Sequence, residues 1–311
     1  MNGEDFQNRL RKRAKHLAKW ARRWPTDAYR VYNWDIPEWA FAVDRYGDAV
    51  VVHHFVRRGE SDDEADDRRA LVLDAVRNVL GPDDADIFVK ERRRQTGATQ
   101  YETLDEHALR IVSEDGLSFR VDLAGYVDTG LFLDHRQMRR QVGGDVATRT
   151  KPRVANLFAY TGAFSVWAAR AGATVTTVDL SNTYLEWAEA NFELNAIDPG
   201  AHRFERSDVM RWLPQAHQRG ERFEIVVLDP PTFSRSKKMV RDLDVQRDHI
   251  ELIRGALALL SANGVLYFST NLRSFALDAR FAEDDAFVET TARTIPEDFS
   301  HGIHRSWRVT T

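Results

Sequence analysis

The chain has 311 residues, of which 43% are apolar, so it is long enough for one large or two ordinary globular domains with a sizeable core. It contains no cysteine, which excludes disulfides, thiolate metal sites and catalysis by a cysteine nucleophile. The net charge of -4 predicts no nucleic-acid partner from the overall balance, and neither an apolar run of about 18 residues nor an apolar leader indicates a membrane span or a secretory signal. We therefore expect a cytoplasmic protein in which local charge patterns matter more than the total.

The N-terminal segment is strongly basic. Residues 9–23, RLRKRAKHLAKWARR, carry eight Lys or Arg side chains and no acidic residue. Apolar residues lie at helical spacing on one side: Leu10, Leu17, Ala21 and Trp20 or Trp24. This pattern predicts a basic amphipathic helix, which is either solvated opposite one docked face or binds a polyanion, with a membrane surface as a third option.

Short runs typical of β-strands dominate from about residue 29 to residue 123. They begin at residues 29, 41, 49, 87, 109 and 117 and, with a helix predicted over 70–81, indicate a small α+β domain. We interpret the acidic cluster at 60–67, ESDDEADD, as a solvated loop and helix start, because acidic side chains favour the positive N-terminal end of a helix. His53 and His54 are adjacent on a predicted strand and point to opposite faces, which argues against a shared metal site.

Strands and helices alternate from Arg153 onward. Strands are predicted at 154–158, 174–180, 202–206, 223–229 and 264–270, and such alternation is typical of a parallel sheet with helices on both faces. Segments 287–294 and 304–310 can add a final antiparallel pair. The predicted division is a basic helix over 1–27, a small α+β domain over 28–125 and a Rossmann-like α/β domain over 126–311.

The ends of these strands carry the candidate site residues, because ligands bind beyond the carboxyl ends of the strands in an open parallel sheet. The first strand runs into NLFAYTG, where Gly162 opens a helix whose free N–H groups can bind a carboxylate. The second strand ends on Asp179, which can accept both hydroxyls of a ribose, and the third leads to Asp208, which can reach an adenine amino group. Since the G-x-G-x-x-G fingerprint is missing, we expect a ligand other than a dinucleotide.

The fourth strand ends in DPPTF, residues 229–233. Pro230 and Pro231 fix φ and remove donors, so we expect the carbonyls of this turn to stay outward and unpaired. Phe233 offers a face for a flat ring. The turn therefore predicts a site for a planar base beside Asp229.

Each of these features has a structural alternative. Asp179 and Asp208 can cap the helices that follow them, Gly162 can be a packing glycine, and the double proline can simply end the edge of a sheet. We favour a ligand site because all of these features occur at successive strand ends.

Several separated stretches resemble one enzyme family. NLFAYTG, VDLSNTYLEWAEANFELN, DPPTFSRSKK and DVQRDH are similar to class I S-adenosylmethionine-dependent RNA methyltransferases. Together with FQNRLRKRAKHLAKWA, YRVYNWDIPEWAFAVDRY, VKERRRQTG and YVDTGLFLDHR, they more closely resemble the guanine-N7 half of the bifunctional bacterial 23S rRNA methyltransferases. The likeness runs from about Phe6 to the C-terminus.

The resemblance implies a class I methyltransferase domain over 126–311 with S-adenosyl-L-methionine as cofactor. It implies that the methionine end is held by residues 160–162, the ribose by Asp179 and the adenine by Asp208. The implied cofactor-binding residues are Asn156, Phe158, Tyr160, Thr161, Gly162, Asp179, Leu180 and Asp208, with Asp134 and Arg136 lining the pocket. The methyl-accepting base is implied beside the catalytic residues Asp229, Pro230, Pro231 and Phe233.

The implied partner is 23S rRNA or a large-subunit precursor particle, without a membrane or a metal. The RNA-binding module and the N2-guanine methyltransferase half of the bifunctional proteins have no counterpart in this sequence, so we expect any N2 activity on a separate polypeptide. Basic clusters at 9–23, 90–94 and 235–238 are the candidate phosphate contacts, although each can instead be solvated surface. The nominated residues are Arg11, Lys12, Arg13, Arg92, Arg93, Arg94, Arg235, Lys237 and Lys238.

The chemistry of methyl transfer separates the candidate products. Guanine N7 has a free lone pair and needs no general base, so the protein chiefly has to align the base and exclude water. The DPPTF turn alone favours an exocyclic amine, such as guanine N2 or adenine N6, and only the family resemblance favours N7. Pyrimidine C5 methylation through a cysteine adduct is excluded. A non-catalytic rRNA-binding assembly factor and a small-molecule methyltransferase are the remaining alternatives.

Overall fold

The computed structural model describes residues 3–92, 107–236, 239, 241–299 and 303–311. The chain folds into two compact units. Unit 1 comprises Met1–Leu133 and Glu297–Ser300, and unit 2 comprises Asp134–Pro296 and His301–Thr311. The functional division predicted at residues 27 and 125 stays a prediction.

In its described residues, unit 1 combines two α-helices with a four-stranded sheet and a separate hairpin. The sheet has the order β1-β2-β3-β4, in which β4 pairs parallel to β3 and the other pairs are antiparallel. All six strands expected in this region are confirmed. Its elements are α1 (Glu4–Arg23), β1 (Ala28–Asn33), β2 (Phe41–Tyr46), β3 (Ala49–Phe55), α2 (Asp62–Leu80), β4 (Ile87–Arg92), β5 (Leu109–Glu114) and β6 (Leu117–Asp122).

Helix α1 confirms the basic amphipathic helix. Its buried residues, Phe6, Leu10, Leu17 and Trp20, follow helical spacing and pack into one core with side chains from α2 and β1–β3. Trp20 completes this stripe, whereas Trp24 is the C-terminal cap and is exposed. No helix in the described part of the chain has the length and apolar content needed to cross a membrane.

Helix α2 begins earlier than the sequence pattern predicted, within the acidic cluster. Ser61 is its N-cap and forms a capping box with Glu64, and Asp62 and Asp63 lie in the first turn. Gly81 ends the helix with φ of 66°. Residues 62–67 of the cluster are helical, and the prediction that the cluster forms the start of the helix is confirmed. Its charges stabilise the helix N-terminus.

Two further features complete unit 1. His53 bonds to Asp44 (3.1 Å), whereas His54 stacks on Phe41 from the opposite face of β3, as predicted for adjacent strand residues. A segment from late in the chain also belongs to this unit. The Asp298 side chain is fully buried and accepts a hydrogen bond from Arg30 N (3.0 Å).

Unit 2 contains a seven-stranded sheet with the order β14-β15-β13-β10-β7-β8-β9. The central strands pair in parallel, and β15 pairs antiparallel to both β13 and β14. Its elements are α3 (Arg136–Ala147), β7 (Arg153–Leu157), α4 (Ala163–Arg170), β8 (Thr174–Asp179), α5 (Asn182–Leu194), β9 (Arg203–Arg206), α6 (Val209–Gln218), β10 (Phe223–Leu228), β11 (Phe233–Ser234), β12 (Leu243–Asp244), α7 (Val245–Leu257), β13 (Leu260–Thr270), α8 (Ala279–Ala282), β14 (Phe287–Glu289), α9 (Thr291–Thr294) and β15 (Arg305–Thr310).

The sheet is covered on both faces. Ile225 and Val227 of β10 pack with α3 and α4, whereas Val226 and Leu228 pack with α6 and α7. Successive strand residues point to opposite faces, so a strand buried on both sides is continuously apolar. The predicted Rossmann-like fold with an antiparallel last strand is confirmed. Helices α3 and α6 were not predicted, and residues 291–294 form α9 instead of extending β14.

Candidate active site

The loop that follows β7 has an unusual backbone. Phe158, Tyr160 and Gly162 have φ of 56°, 51° and 75°, so every second residue is left-handed. Positive φ is uncommon for aromatic residues and is held only when surrounding contacts fix it. Ala159 N donates to Val178 O of β8 (3.0 Å), which ties the loop to the neighbouring strand.

Gly162 is required at the end of this loop for two reasons. Its φ favours glycine, and a Cβ added there would lie 2.6 Å from the Ala188 Cβ of α5. The packing alternative is therefore confirmed, and the same glycine is the N-cap of α4.

Asp179 joins two strand ends. Its Oδ2 accepts a hydrogen bond from Tyr160 N (2.9 Å), and its Oδ1 accepts one from Ser181 N (2.9 Å). The capping alternative for Asp179 is wrong, because Ser181 is the N-cap of α5. Burial raises the pKa of Asp179 to about 6, and no cation among the described residues pairs with it. The carboxylate is thus positioned by backbone donors while its charge stays uncompensated.

Other predicted cofactor residues divide between the strand ends and the interior. Asp208 confirms the capping alternative, because its side chain accepts from Met210 N (3.0 Å) at the start of α6. Asn156 lies inside the fold, where its amide donates to Ser165 Oγ (2.9 Å) and fixes α4 on the sheet. Thr161 and Leu180 offer backbone carbonyls to Asn191 and Arg206, respectively.

The DPPTF turn follows β10 at the same edge of the sheet. Pro230 is buried, and Phe233 is 49% exposed at the start of the β11–β12 hairpin. The expectation that the carbonyls of the turn are unpaired is wrong for Thr232, whose carbonyl accepts from Val245 N (3.1 Å). The start of α7 thus fixes the turn, while Phe233 remains available to a planar ligand.

Asp229 is held by side chains. Its Oδ1 accepts a hydrogen bond from Ser269 Oγ (2.6 Å) and lies 3.4 Å from His135 Nε2. The other ring nitrogen of His135 lies 3.3 Å from Asp134 Oδ2, so this imidazole stands between two carboxylates.

His304 adds an outer layer. Its Nδ1 shares a hydrogen bond with Asp134 Oδ2 (2.9 Å) and its Nε2 with Thr294 Oγ1 (3.0 Å). The His304 ring stacks on His135 with centroids 4.7 Å apart, and the Phe164 ring approaches His135 edge-on at 5.9 Å. The network is thereby closed on the side away from Asp229.

Each charged group in this network stabilises the ionised form of its neighbours. Burial would lower the pKa of His135, but the Asp229 and Asp134 carboxylates raise it to about 10. Burial would likewise raise the pKa of both carboxyls, but the His135 cation holds that of Asp229 below, and that of Asp134 well below, the usual range. The three groups therefore form a carboxylate–imidazolium–carboxylate row at neutral pH.

Asp134, His135 and His304 are also a group of three potential metal ligands within the described ranges, with donor atoms within 4.8 Å of one another. Both nitrogens of His304 are hydrogen-bonded, and both nitrogens of His135 face carboxylates. We therefore interpret the group as a network of ion pairs and hydrogen bonds.

The residues that sequence reasoning missed are His135, His304, Ser269 and Thr294. A usable signal was present in LFLDHR, because a second predicted site carboxylate, Asp134, required a cation beside it. Arg136, the neighbouring predicted residue, is almost fully buried at the start of α3.

The nominated RNA contacts differ in exposure. Arg11 and Lys12 of α1 are exposed, and Arg235 is exposed near Asp242 (3.6 Å). Arg13 is mostly covered, lying 3.8 Å from Asp35 and donating to Asp298 O (3.1 Å).

The 90–94 cluster differs from a solvated basic patch in its described part. Arg92 donates to Val127 O and Asp128 (both 3.0 Å), and Lys90 is buried against Tyr126 O. Arg93, Arg94, Lys237 and Lys238 lie outside the described residues.

A family model described as S-adenosylmethionine-dependent methyltransferase matches residues 45–304. The chain belongs to this methyltransferase family. The family predicted from the sequence, and its S-adenosylmethionine cofactor, are thereby confirmed.

Two relatives of this methyltransferase are named as ribosomal RNA methyltransferases. This chain is 47% identical to ribosomal RNA large subunit methyltransferase K of Neisseria meningitidis, and the alignment covers 98% of this chain and 86% of the relative. It is 46% identical to ribosomal RNA large subunit methyltransferase K/L of Dichelobacter nodosus, covering 98% of this chain and 42% of the relative. The methyltransferase thus spans most of the K protein and less than half of the K/L protein.

Solved structures show the same fold. A proposed methyltransferase crystallised with SAH aligns with a TM-score of 0.80 and 26% identity, covering 100% of this methyltransferase and 82% of that chain. A methyltransferase from Agrobacterium tumefaciens aligns with a TM-score of 0.63 and 19% identity, covering 91% of this methyltransferase and 90% of that chain.

Proposed function

We propose that this methyltransferase modifies the RNA of the large ribosomal subunit, 23S rRNA, and forms N7-methylguanosine. The observation that carries the RNA target is the 47% identity to a large-subunit methyltransferase K over nearly the whole chain. The substrate is 23S rRNA or a precursor particle, and the compartment is the cytoplasm, where ribosomes are assembled.

The residues at the ends of β7 and β8 fit S-adenosylmethionine. Asp179 presents an uncompensated carboxylate that suits the two ribose hydroxyls, and the left-handed loop at 158–162 brings backbone close to the ligand. Asp208, at the next strand end, would lie by the adenine. When bound, the cofactor supplies a methyl group on a positively charged sulfur.

The DPPTF turn is the proposed acceptor site. Phe233 would stack on the flipped base, and Asp229 would meet its polar edge. Because the His135 cation lowers its pKa, Asp229 binds a proton weakly and is a poor general base. Guanine N7 needs no base, which supports N7 as the acceptor.

An exocyclic amine, guanine N2 or adenine N6, is the second candidate. The observation that favours it is Asp229 itself, since a carboxylate at the end of the DPPTF turn can accept a hydrogen bond from an amino group. The two candidates differ in the proton that only the amine must lose.

The test is product identification. The purified protein is incubated with labelled S-adenosylmethionine and unmodified 23S rRNA, and the digested RNA is analysed by mass spectrometry against nucleoside standards. N7-methylguanosine is the expected product. N2-methylguanosine or N6-methyladenosine would establish the second candidate, and absence of product on both RNA and precursor particles, with cofactor bound, would favour a non-catalytic assembly factor.

For RNA affinity we propose the exposed part of α1. The double substitution Arg11→Ala, Lys12→Ala is expected to weaken binding and to flatten the log–log salt dependence by about 1–2, because each phosphate contact contributes about 0.7–0.9 to the slope. Filter binding at several salt concentrations measures this. Arg235→Ala probes the second described cluster, and an unchanged slope in either variant removes that cluster from the interface.

A further inference from the structure

We propose that His135 is a positioning residue that, as an imidazolium, fixes the Asp229 carboxylate as a permanent negative charge facing the methyl-accepting base. This inference rests on the proposed function, because it assigns a role at the same acceptor site. It concerns how the site stabilises the charge that methylation creates on the base.

The first observation is the graded exposure of the network. His304 is fully buried, the side chains of His135 and Asp134 are 6% and 13% exposed, and that of Asp229 is 18% exposed. Asp229 is therefore the member of the network with the greatest access to a ligand.

The second observation is the use of the two Asp229 oxygens. Oδ1 receives Ser269 and faces His135, whereas Oδ2 has no hydrogen bond to any described residue. One oxygen thus anchors the carboxylate, and the other is free to meet a base. A carboxylate anchored in this way keeps its direction without waiting for a ligand to orient it.

The third observation is that side chains from several separate elements build the network around His135. Asp134 and His135 precede and open α3, Asp229 follows β10, Ser269 lies on β13, His304 precedes β15, and Thr294 ends α9. Asp134 stabilises the His135 cation, and His304 with Phe164 covers its ring. Burying these charges costs free energy because they lose their hydration. The attraction between the ions compensates this loss only while they remain paired.

The chemistry explains the use of a fixed charge. In methylation at N7 the bond between sulfur and methyl carbon breaks, its electrons stay on sulfur, and the N7 lone pair forms the new bond. The positive charge passes to the guanine ring and no proton moves. A preorganised carboxylate beside the ring stabilises that developing charge, whereas a protonated Asp229 would not.

The test compares the pH dependence of kcat for the wild type, His135→Gln and His249→Gln. An opposite charge within about 4–6 Å lowers a carboxyl pKa by about 1–3 units, so removing the imidazolium raises the pKa of Asp229 by a similar amount. Under saturating substrates we expect kcat of His135→Gln to fall by about threefold to tenfold from about pH 7 to about pH 5, with little change in the wild type.

His249→Gln is the matched control. His249 is also buried in unit 2, and its two ring nitrogens bond to Gln246 O (2.9 Å) and Asp278 N (3.1 Å). The His249→Gln variant loses a comparable imidazole, but one that does not contact Asp229. The pH profile of its kcat is therefore expected to follow that of the wild type.

A second variant covers the case in which His135→Gln does not fold. Asp134→Asn leaves His135 in place but removes one of the two charges that raise its pKa, so the imidazolium is expected to lose its proton at lower pH. An NMR titration of the His135 ring should place its pKa about 1 unit or more below the wild-type value.

The outcomes separate the two proposals. If the wild type forms no methylated nucleoside, the proposed function fails. If the wild type forms product but His135→Gln keeps its pH profile, or Asp134→Asn leaves the His135 titration unchanged, the proposed function stands and the role of His135 is refuted.

Discussion

Asp179 ends β8 and Asp229 directly follows β10, and these two strands flank β7 in one sheet. The two carboxylates are nevertheless held in opposite ways. Asp179 is positioned by backbone N–H groups from two loops and has no cationic partner among the described residues. Asp229 is positioned by the Ser269 hydroxyl and the His135 ring. Burial accordingly raises the pKa of Asp179 to about 6, whereas the His135 cation lowers that of Asp229.

Similar residues at neighbouring strand ends are therefore suited to different tasks. An uncompensated carboxylate gains most from the hydroxyl donors of a ligand, so Asp179 suits reversible binding of a ribose. A compensated carboxylate keeps its charge with or without a ligand, so Asp229 suits stabilisation of a transient cation.

Removing Asp179, the proposed ribose-binding carboxylate, should have the greatest consequence. Asp179→Ala eliminates an ionised acceptor for two hydroxyls, each hydrogen bond contributing about 1.5–3 kcal/mol, so the Kd for S-adenosylmethionine should rise by roughly a hundredfold or more. Titration calorimetry measures this. Asp198→Ala is the control, because Asp198 also accepts a backbone N–H in a loop of unit 2. Unchanged affinity in Asp179→Ala would reduce Asp179 to a loop anchor.

The backbone that presents Asp179 can be tested separately. Gly162→Ala places an alanine at φ of 75° and drives its Cβ to 2.6 Å from the Ala188 Cβ. Left-handed strain of about 1–2 kcal/mol and overpacking of about 1–3 kcal/mol should together lower the free energy of unfolding, measured in urea. Gly220→Ala has the same strain at φ of 72° with open space around it, so an equal loss in both variants would deny the packing role.

The raised pKa of Asp179 predicts that its charge destabilises the cofactor-free protein while it strengthens binding of the cofactor. Between the ordinary pKa of 3.8 and about 6 the folded protein holds a proton that the unfolded chain has lost, so the stability of the cofactor-free protein falls as pH rises through this window. Asp179→Asn should then be more stable than the wild type above about pH 6, by about 1–3 kcal/mol, while binding the cofactor less tightly. Urea denaturation at several pH values measures this, and a gain that does not depend on pH would contradict it.

The Ser269 hydroxyl, which donates a hydrogen bond to Asp229, should have the weakest influence. Ser269→Ala removes one hydrogen bond to Asp229, worth about 1 kcal/mol, so kcat should fall by roughly threefold to tenfold. Because His135 remains charged, no large acid loss should appear in the pH profile. Ser261→Ala, elsewhere on β13, is the control. A profile like that expected for His135→Gln would show that the hydroxyl, not the imidazolium, keeps Asp229 ionised.

The fold was largely predictable because its physical signals are local. The apolar strands of unit 2 alternate with helices along the chain, and the stripe from Leu10 to Trp20 follows the helical period. Helix α3 was missed although Met138, Val142 and Val146 follow helical spacing, because Gly143 and Gly144 between them lower helix propensity.

The site was only partly predictable. Asp179 and Asp229 stand at strand ends, which sequence order alone locates. His135 and His304 are 169 positions apart in numbering and meet only because β15 returns antiparallel beside β13. The capping role of Asp208 also requires coordinates, because a strand-end carboxylate before a helix fits both roles equally well.

The burial of Asp298 in unit 1 has a consequence for the order in which the protein is made. The Arg30 amide and the Arg13 guanidinium that meet Asp298 are translated before unit 2, whereas Asp298 follows only after residues 134–296. At about 5–20 residues per second, that interval lasts roughly 10–30 s. The interior of unit 1 is incomplete during this interval, so its final closure comes after almost all of unit 2 has been synthesised.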